Sequence, residues 1–577
     1  MITKGLSGAE AVLRGLRMMG VERIFASPGS DWAPLWEALA KPYGPDEVPE
    51  YVSSRHEETA VAMASGYAKA TGRLPAVVLH TTVGALHATM CLRTALHERI
   101  PMVVLAGESI AFGESPAVSD PGRQWLRLLA DVGGPARLVE PCVKWSAGVS
   151  TSLLLPHTIQ RAAQLAMAAP KGPVFVSVPV EMLMDAMTLD PPAAAGFARA
   201  PAADPAAIDE LAHALCAAAH PVIVTEQLGK SVAAVDRLVE LAEALGAPVV
   251  EGWQPTYVNF PRTHPLYGGV AATEMSAVLD EADLVFLVEA VAPWHPPSAL
   301  PAPRTRVLVL GEEPLNPRLP FWGFRADLVV AGEAERSLAM LVDRVRATVA
   351  PGSRSTVTAR WRERHEKQRA AAREAARATG ASTPIETRWI AHELNEVLPA
   401  DAIVVDETIT HRPDIVRLLD RLAPGAFFEA SYGGLGVGLG TALGVKLAHP
   451  DRTVVTLIGD GAFHYNPVPA AFGASQEHRL PMLVVLFDNA GYLSQKSDVA
   501  KEFPDGWAVR SRKFAGTSIM PRPDYAALAR AYGGHGETVD APGEVRAALR
   551  RALDAVARGQ LALVHVVLAP VNPDSGS

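Results

Sequence analysis

Short apolar runs recur along the whole chain, each bounded by Gly, Ser, Thr or Pro and separated by stretches with helical periodicity. In the first ~185 residues the runs are VERIFASPGS, PAVVLHTT, PMVVLAGES and GPVFVSVPVE. Runs that stay apolar on both alternations are the mark of strands covered on both faces, so this block predicts a parallel sheet with helices on either side. Ahead of it, Ser7-Gly8-Ala9-Glu10 has the form of a capping box opening an amphipathic helix, VLRGLRMM. The Ala/Pro-rich run at residues 190–207 reads as a linker. A second block carries HPVIVTEQ, APVVEGW, LVFLVEA and TRVLVLGEE and fades near Pro351. The stretch TARWRERHEKQRAAAREAARATG mixes both charge signs with alanine and reads as a solvated connecting helix. A third block begins near Thr383 and carries AIVVDET, FFEASYG, TVVTLIGD, PMLVVLFD and LALVHVVLA. The prediction is three successive parallel-sheet α/β domains, at 1–187, 205–350 and 383–570, with no short internal repeat.

Composition changes this picture little. A chain of 577 residues suits three or four domains at ~150 residues each. About half of the residues are apolar (49%), enough for several packed cores. No segment reaches the ~18 uninterrupted apolar residues of a membrane helix, and the N-terminus has no signal-peptide pattern. Cys91, Cys142 and Cys216 lie far apart, without metal spacing or a disulfide framework. These features give the expectation of a cytoplasmic setting without membrane association. A net charge of −9 gives no support to nucleic-acid binding.

The densest chemistry lies where two of the third-block strands end. Gly459-Asp460-Gly461 closes VVTLI; 26 residues later, Asp488-Asn489-Ala490-Gly491-Tyr492 closes PMLVVLF. In a parallel sheet both ends face the same edge, where ligands bind. Asp460 and the side-chain oxygen of Asn489 are hard ligands of the kind Mg²⁺ or Ca²⁺ takes, and a bound diphosphate would complete the shell. Gly459 and Gly461 allow backbone to approach a phosphate closely.

This stretch resembles the diphosphate-binding signature of thiamine-diphosphate (ThDP) enzymes. The resemblance implies that Asp460, Asn489 and the carbonyl of Gly491 hold Mg²⁺, with Ca²⁺ able to substitute. Gly461, Ala462, Tyr492 and Leu493 flank the cofactor there. Asp488 departs from the family pattern, which has Asn at that position. The segment Arg55-His56-Glu57-Glu58, before TAVAMASGYAKATG, resembles the family's catalytic-glutamate segment. Ten residues separate Glu57 from Tyr67, and that offset selects Glu57 over Glu58 as the group that bonds the aminopyrimidine ring of ThDP. On its own the pair would read as an acidic helix start. Ser431-Tyr432-Gly433-Gly434-Leu435-Gly436-Val437-Gly438 resembles the loop against which the cofactor bends. Leu435 matches the apolar prop, and Gly433 the carbonyl that accepts from the amino group. Thr410, after Asp406-Glu407-Thr408-Ile409, is a candidate diphosphate ligand.

The order of the three blocks is similar to that of the ThDP decarboxylase and acetolactate synthase superfamily: pyrimidine-binding, central and diphosphate-binding domains. Further local features resemble benzoylformate decarboxylases. Ser30, in the loop Ser27-Pro28-Gly29-Ser30, matches a substrate-carboxylate serine. His80 and His295 match, or fall near, two active-site histidines, and Val143-Lys144-Trp145-Ser146 also matches locally. The resemblance implies ThDP- and Mg²⁺-dependent decarboxylation of a small-molecule 2-oxo acid through a C2-bound enamine, with carboligation to a second carbonyl as a possible continuation. It also implies a homodimer at minimum, expected as a homotetramer, because Glu57 and Asp460 lie in different domains that meet across chains in the family.

Several alternatives stay open. An acetolactate-synthase-like carboligase and a 2-hydroxyacyl-CoA lyase keep the cofactor; a catalytically silent ThDP-binding homologue discards the reaction. The aspartate-arginine flavin signature is not found near residues 310–330, so FAD is not expected. Gln495 stands where pyruvate and indolepyruvate decarboxylases carry Glu. A Rossmann dinucleotide site lacks its Gly-x-Gly-x-x-Gly and following acid. Trp32, Phe112, Leu493 and the 496–520 segment are expected to set the pocket's size.

Overall fold

The computed structural model describes residues 5–44, 46–109, 131, 133–187, 193, 195–253, 255–270, 275, 277–294, 300–317, 324–420, 423–430 and 434–572. It contains three six-stranded sheets in succession along the chain. The first has strands β1 (Arg23–Ser27), β2 (Glu50–Ser53), β3 (Ala76–Leu79), β4 (Met102–Glu108), β5 (Trp145–Gly148) and β6 (Pro173–Pro179), ordered β2-β1-β3-β4-β6-β5. The second has β7 (Pro221–Thr225), β8 (Val249–Glu251), β9 (Tyr267–Val270), β10 (Leu284–Val288), β11 (Arg306–Gly311) and β12 (Leu328–Ala331), ordered β12-β11-β10-β7-β8-β9. The third has β13 (Ile403–Glu407), β14 (Phe427–Glu429), β15 (Val454–Gly459), β16 (Leu483–Asp488), β17 (His535–Val539) and β18 (Ala562–Val567), ordered β14-β13-β15-β16-β18-β17. Every pairing between these strands is parallel. Counted within its own sheet, the third repeats the strand order of the first.

The central strands are the apolar runs of the sequence. β3, β7, β10, β15 and β16 are buried at every position, because helices cover both faces of a parallel sheet. Ser7 and Glu10 form the capping box at the start of helix Gly8–Met18. The connecting helix, Ser355–Ala378, buries only Trp361, His365 and Ala376. The run read as a linker through residue 207 ends earlier. Asp204 accepts from the N–H groups of Ala206 and Ala207 and caps a helix that begins at Pro205 (Pro205–Ala217). Proline at the first helical position costs nothing, since its missing N–H would have no helical partner.

The first and third units share one core. Helix Glu57–Thr71 crosses helix Gly438–Ala448 with almost no space between backbones. A Cβ on Gly66 would stand 2.0 Å from the Thr441 carbonyl oxygen, and one on Gly444 would stand 1.9 Å from that of Met63. Ala62, Met63 and Tyr67 of one helix and Leu439, Ala442 and Leu443 of the other lie in the same apolar cluster. Beside the crossing, the side chain of Lys69 is almost wholly covered, 2% accessible. Its Nζ lies 2.5 Å from Glu98 Oε2 and donates to the Glu429 carbonyl at 2.8 Å, under the ring of Tyr257. One cation thus joins all three units, and breaking that pair would strand a charge in the interior.

Candidate active site

Two groups of functional side chains sit at the C-terminal edges of the first and third sheets. In the third, β15 ends at Gly459 and Asp460 opens helix Asp460–Tyr465. Its Oδ1 accepts from Gly461 N–H and its Oδ2 from Gly491 N–H, both at 2.9 Å. One carboxylate therefore ties the ends of β15 and β16 together. Burial, and then the charge of Asp488, push the Asp460 carboxyl up to about 8. Asn489 is buried, and its Oδ1 has no hydrogen-bond partner. A buried carboxyl driven toward protonation beside a buried, unpartnered amide oxygen is a donor set suited to a hard cation. Mg²⁺ fits this oxygen-only arrangement.

The local backbone follows from the same loop. Ala490 adopts φ +53°. A Cβ on Gly491 would lie 2.1 Å from the Thr517 carbonyl oxygen, and one on Gly461 would lie 2.8 Å from the Tyr492 ring. The departure at Asp488 also has a physical account. The carboxylate accepts from Ala490 N–H at 2.7 Å, lies 2.7 Å from His565 Nε2 and pairs with Arg522 at 3.1 Å. Burial opposes its charge, but these partners outweigh it and hold the carboxyl below its ordinary value. Asp488 stays beside Asp460 but is held charged by its own ion pairs, and the candidate cation donors are Asp460 and Asn489.

Two residues here escaped the sequence reading. Glu407, at the end of β13, accepts from the N–H groups of Gly436, Val437 and Gly438 at 2.7, 3.2 and 3.1 Å and from Asn466 Nδ2 at 2.8 Å. Burial pushes this carboxyl up to about 7 against the pull of those donors. It fixes the glycine-rich loop that carries Leu435. Within the loop, Gly434 and Gly436 have φ +144° and +109°, a region closed to most side chains. The other residue is His411, whose Nε2 lies 3.4 Å from Asn489 Nδ2 and whose Nδ1 lies 2.8 Å from Thr387 Oγ1. Burial lowers its pKa to about 4, so the ring is neutral. The only sequence signal for either was position, beside the candidate Thr410. Thr410 itself is exposed, in the short turn Ile409–His411. Ala462 is buried behind Asp460, and Leu493 opens helix Leu493–Glu502, which buries none of its residues.

In the first unit, His80 follows β3 and Ser30 follows the β1 loop. A Cβ on Gly29 would fall 2.2 Å from the His80 ring, so only glycine lets the loop close on the imidazole. Ser30 is exposed beside it. His80 Nδ1 lies 2.5 Å from Asp31 Oδ1, and Asp31 is completely buried. Asp31 was also missed, because nothing in the sequence around Ser30 indicates a side chain that reaches β3. Gly84 stands between His80 and Glu57: a Cβ there would lie 3.1 Å from His80 Cβ and 3.2 Å from Glu57 Cγ. Glu57 opens helix Glu57–Thr71. Its Oε2 is 3.3 Å from His87 Nδ1.

The two adjacent glutamates diverge. Glu57 packs among Gly84, His80 and His87 of its own unit. Glu58 turns toward the third unit, within 3.0 Å of where a Cβ on Gly436 would be, and burial pushes it up to about 7. Trp32, expected to line the pocket, is instead fully buried, donating its indole N–H to the Leu79 carbonyl at 2.7 Å. It braces the site from beneath. Gly433, His295 and Phe112 lie outside the described residues; Trp294, before His295, packs in the central core, edge-on to Phe324.

Comparisons with known proteins agree in kind. Models for thiamine pyrophosphate enzymes match three stretches: the N-terminal TPP binding domain at residues 6–121, the central domain at 208–310 and the C-terminal TPP binding domain at 410–566. The benzoylformate decarboxylase of Pseudomonas aeruginosa strain PAO1 is 28% identical over 574 residues, covering 97% of this chain and 98% of that protein. The acetolactate synthase isozyme 3 large subunit of Escherichia coli K12 is 27% identical, covering 98% and 95%. Among solved structures, the thiamine diphosphate-dependent 4-hydroxybenzoylformate decarboxylase of Rhodococcus jostii RHA1 superposes with a TM-score of 0.80 at 25% identity, over 98% of this chain and 99% of that one.

Proposed function

Because the chain belongs to the superfamily of thiamine-diphosphate decarboxylases and acetolactate synthases, we propose that it decarboxylates a 2-oxo acid with ThDP and Mg²⁺. The reading rests on one observation above the others: Glu57 and the Asp31-held His80 stand together across Gly84, beside an exposed serine. When bound, ThDP supplies a carbon nucleophile for the substrate carbonyl and a sink for the electrons released with CO₂.

The chain's own residues do the rest. Asp460, Asn489 Oδ1 and the Gly491 carbonyl hold Mg²⁺; Gly461, Ala462, Thr410, Tyr492 and Leu493 flank the diphosphate. Leu435 and Gly433 shape the ring pocket, with Glu407 fixing their loop. Glu57 holds and returns a proton at its carboxyl. Asp31 accepts from His80 Nδ1, which leaves Nε2 as the nitrogen that gives or takes a proton at the substrate. The hydroxyl of Ser30 binds the substrate carboxylate, and His295 is proposed as a second proton donor. The domain roles are pyrimidine-binding for 1–187, central for 205–350 and diphosphate-binding for 383–570.

Glu57 packs within its own unit while Glu58 faces the third unit of the same chain. That divergence supports a site completed by a second copy, whose third unit meets Glu57. A homodimer is the least assembly this requires, and a homotetramer the one proposed. Among the described residues no helix is long and apolar enough to cross a membrane; a cytoplasmic enzyme is proposed.

Similarity to an acetolactate synthase favours a second reading, carboligation to an acceptor carbonyl. The test is CO₂ release from a panel of 2-oxo acids, from pyruvate through branched members to benzoylformate, with ThDP and Mg²⁺ and no acceptor. Release is expected, with the aromatic member of first interest. Failure across the panel in ThDP-loaded protein would refute simple decarboxylation and leave the ligase or a 2-hydroxyacyl-CoA lyase. A colourless protein is expected, since no flavin enters this reading.

A further inference from the structure

His56 and His87 take no part in the chemistry above, yet they frame Glu57. His87 Nδ1 lies 3.3 Å from Glu57 Oε2. The two imidazoles stack with centroids 5.2 Å apart and planes 8° from parallel. One ligand atom each from His56, Glu57 and His87 lies within 4.8 Å of the other two. A tetrahedral ion with bonds of ~2.0–2.1 Å needs donor atoms roughly 3.3 Å apart, which the Glu57–His87 pair already provides.

The donor set selects the ion. Two imidazoles and one carboxylate suit Zn²⁺ and its first-row neighbours, whereas Mg²⁺ prefers oxygen alone. The competing contact is one helix-capping bond: His56 Nδ1 accepts from Glu58 N–H at 3.2 Å. The ion also has a route in. Within a single chain, before a second copy meets Glu57, His87 is exposed, with 61% of its side chain accessible, and His56 lines an open cleft of about 480 Å³ with Arg55, Glu58, Tyr465 and Asn466.

We propose that His56, Glu57 and His87 form a second metal site, for Zn²⁺ or a similar transition ion, whose occupation withdraws Glu57 from the cofactor. The binding stands on the three side chains alone. The antagonism rests on the reading of Glu57 as the cofactor's proton partner. By linkage, each ligand must weaken the other by the same factor.

The test uses the full-length protein freed of cofactor, with Mg²⁺ in excess. Zn²⁺ affinity is read by competition with a chromophoric chelator, and Co²⁺ is added separately as a spectroscopic probe. One Zn²⁺ per chain is expected, bound at least tenfold more weakly in His87→Ala and in His56→Ala and unchanged in Asp460→Ala. The Co²⁺ form should show the strong visible absorption of a tetrahedral site and lose it in His87→Ala. His87 is on the surface, so that variant carries little folding risk. Unchanged Zn²⁺ affinity in both histidine variants would overturn the site. ThDP that leaves Zn²⁺ affinity unaltered would overturn the antagonism. If Glu57→Gln retained full turnover, the functional reading would fail, while the metal site would still be judged by the histidine variants.

Discussion

The first and third units are built on the same strand order, yet their ligand-facing edges carry opposite chemistry. The first ends in groups proposed to bind substrate and handle protons: the hydroxyl of Ser30, the Asp31–His80 pair and Glu57. The third ends in buried acids and an amide, Asp460, Glu407 and Asn489; the two acids fix backbone, and Asp460 with Asn489 is proposed to hold an ion. Strand topology alone therefore decided neither role. What differs is the residues placed at the strand ends or within four positions beyond them, and the glycine that lets its neighbour approach. Gly29 admits His80, Gly84 separates it from Glu57, and Gly491 brings Asp460 to the β16 loop. Function sits in the loops grafted on a common frame.

If the division of labour is right, damage to the two edges will look different. Glu57→Gln should leave ThDP binding within a few fold while lowering turnover by about 10²–10⁴, the usual range for a lost general acid or base; full activity would remove proton handling from the first unit. Asp460→Ala should instead weaken Mg²⁺ and ThDP together, by about a hundredfold, seen by calorimetry; retained affinity would take the ion away from the third unit. In the unsubstituted protein, Mg²⁺ must displace the Asp460 proton below about pH 8. Its affinity should therefore climb by up to about tenfold per pH unit and level off above that point. The sign for stability is opposite. A raised carboxyl pKa favours the ion-free fold at low pH, and this contribution fades as pH rises from the ordinary 3.8 through about 8.

A smaller effect is expected at Asp31. Asp31→Asn keeps the side chain's size but removes the charged acceptor on His80, a bond worth about 1.5–3 kcal/mol. Turnover should fall at least tenfold and the pH–rate profile should shift, with ThDP affinity unchanged; an unmoved profile would reduce Asp31 to a packing residue. The smallest change concerns the helix crossing that fuses the two units. Gly→Ala inside a helix normally gains about 1 kcal/mol. At Gly444 the added carbon would stand 1.9 Å from a backbone oxygen, so a net loss of about 1–3 kcal/mol is expected. A lower melting temperature for Gly444→Ala would show it, and an unchanged or higher one would mean that the helices can separate without penalty.

Much of this was legible in the residues. The strands buried on both faces announced themselves as apolar runs, and Gly459-Asp460-Gly461 with Asn489 marked the proposed ion-binding edge through local geometry that neighbours in sequence determine. The sheet margins were not legible. The strands with no apolar run to mark them, β2, β5, β9, β12 and β17, are all edge strands with mixed exposure. β14, the remaining edge strand, was readable because it is wholly buried, with Glu429 N–H donating to the Thr256 carbonyl of the central unit. Edge strands have one neighbour and partial cover, so their side chains need not all be apolar and no periodic signal results. The same reason hid Asp31, Glu407 and His411. Each has an important partner 29 to 78 residues away, and a hydrogen bond across that span leaves no pattern in the chain. The sequence by itself determined three covered sheets and the oxygen donors proposed to meet an ion. Only the tertiary structure decided which glutamate faces which unit and which buried groups hold the catalytic candidates in place, because those are choices made by packing between distant segments.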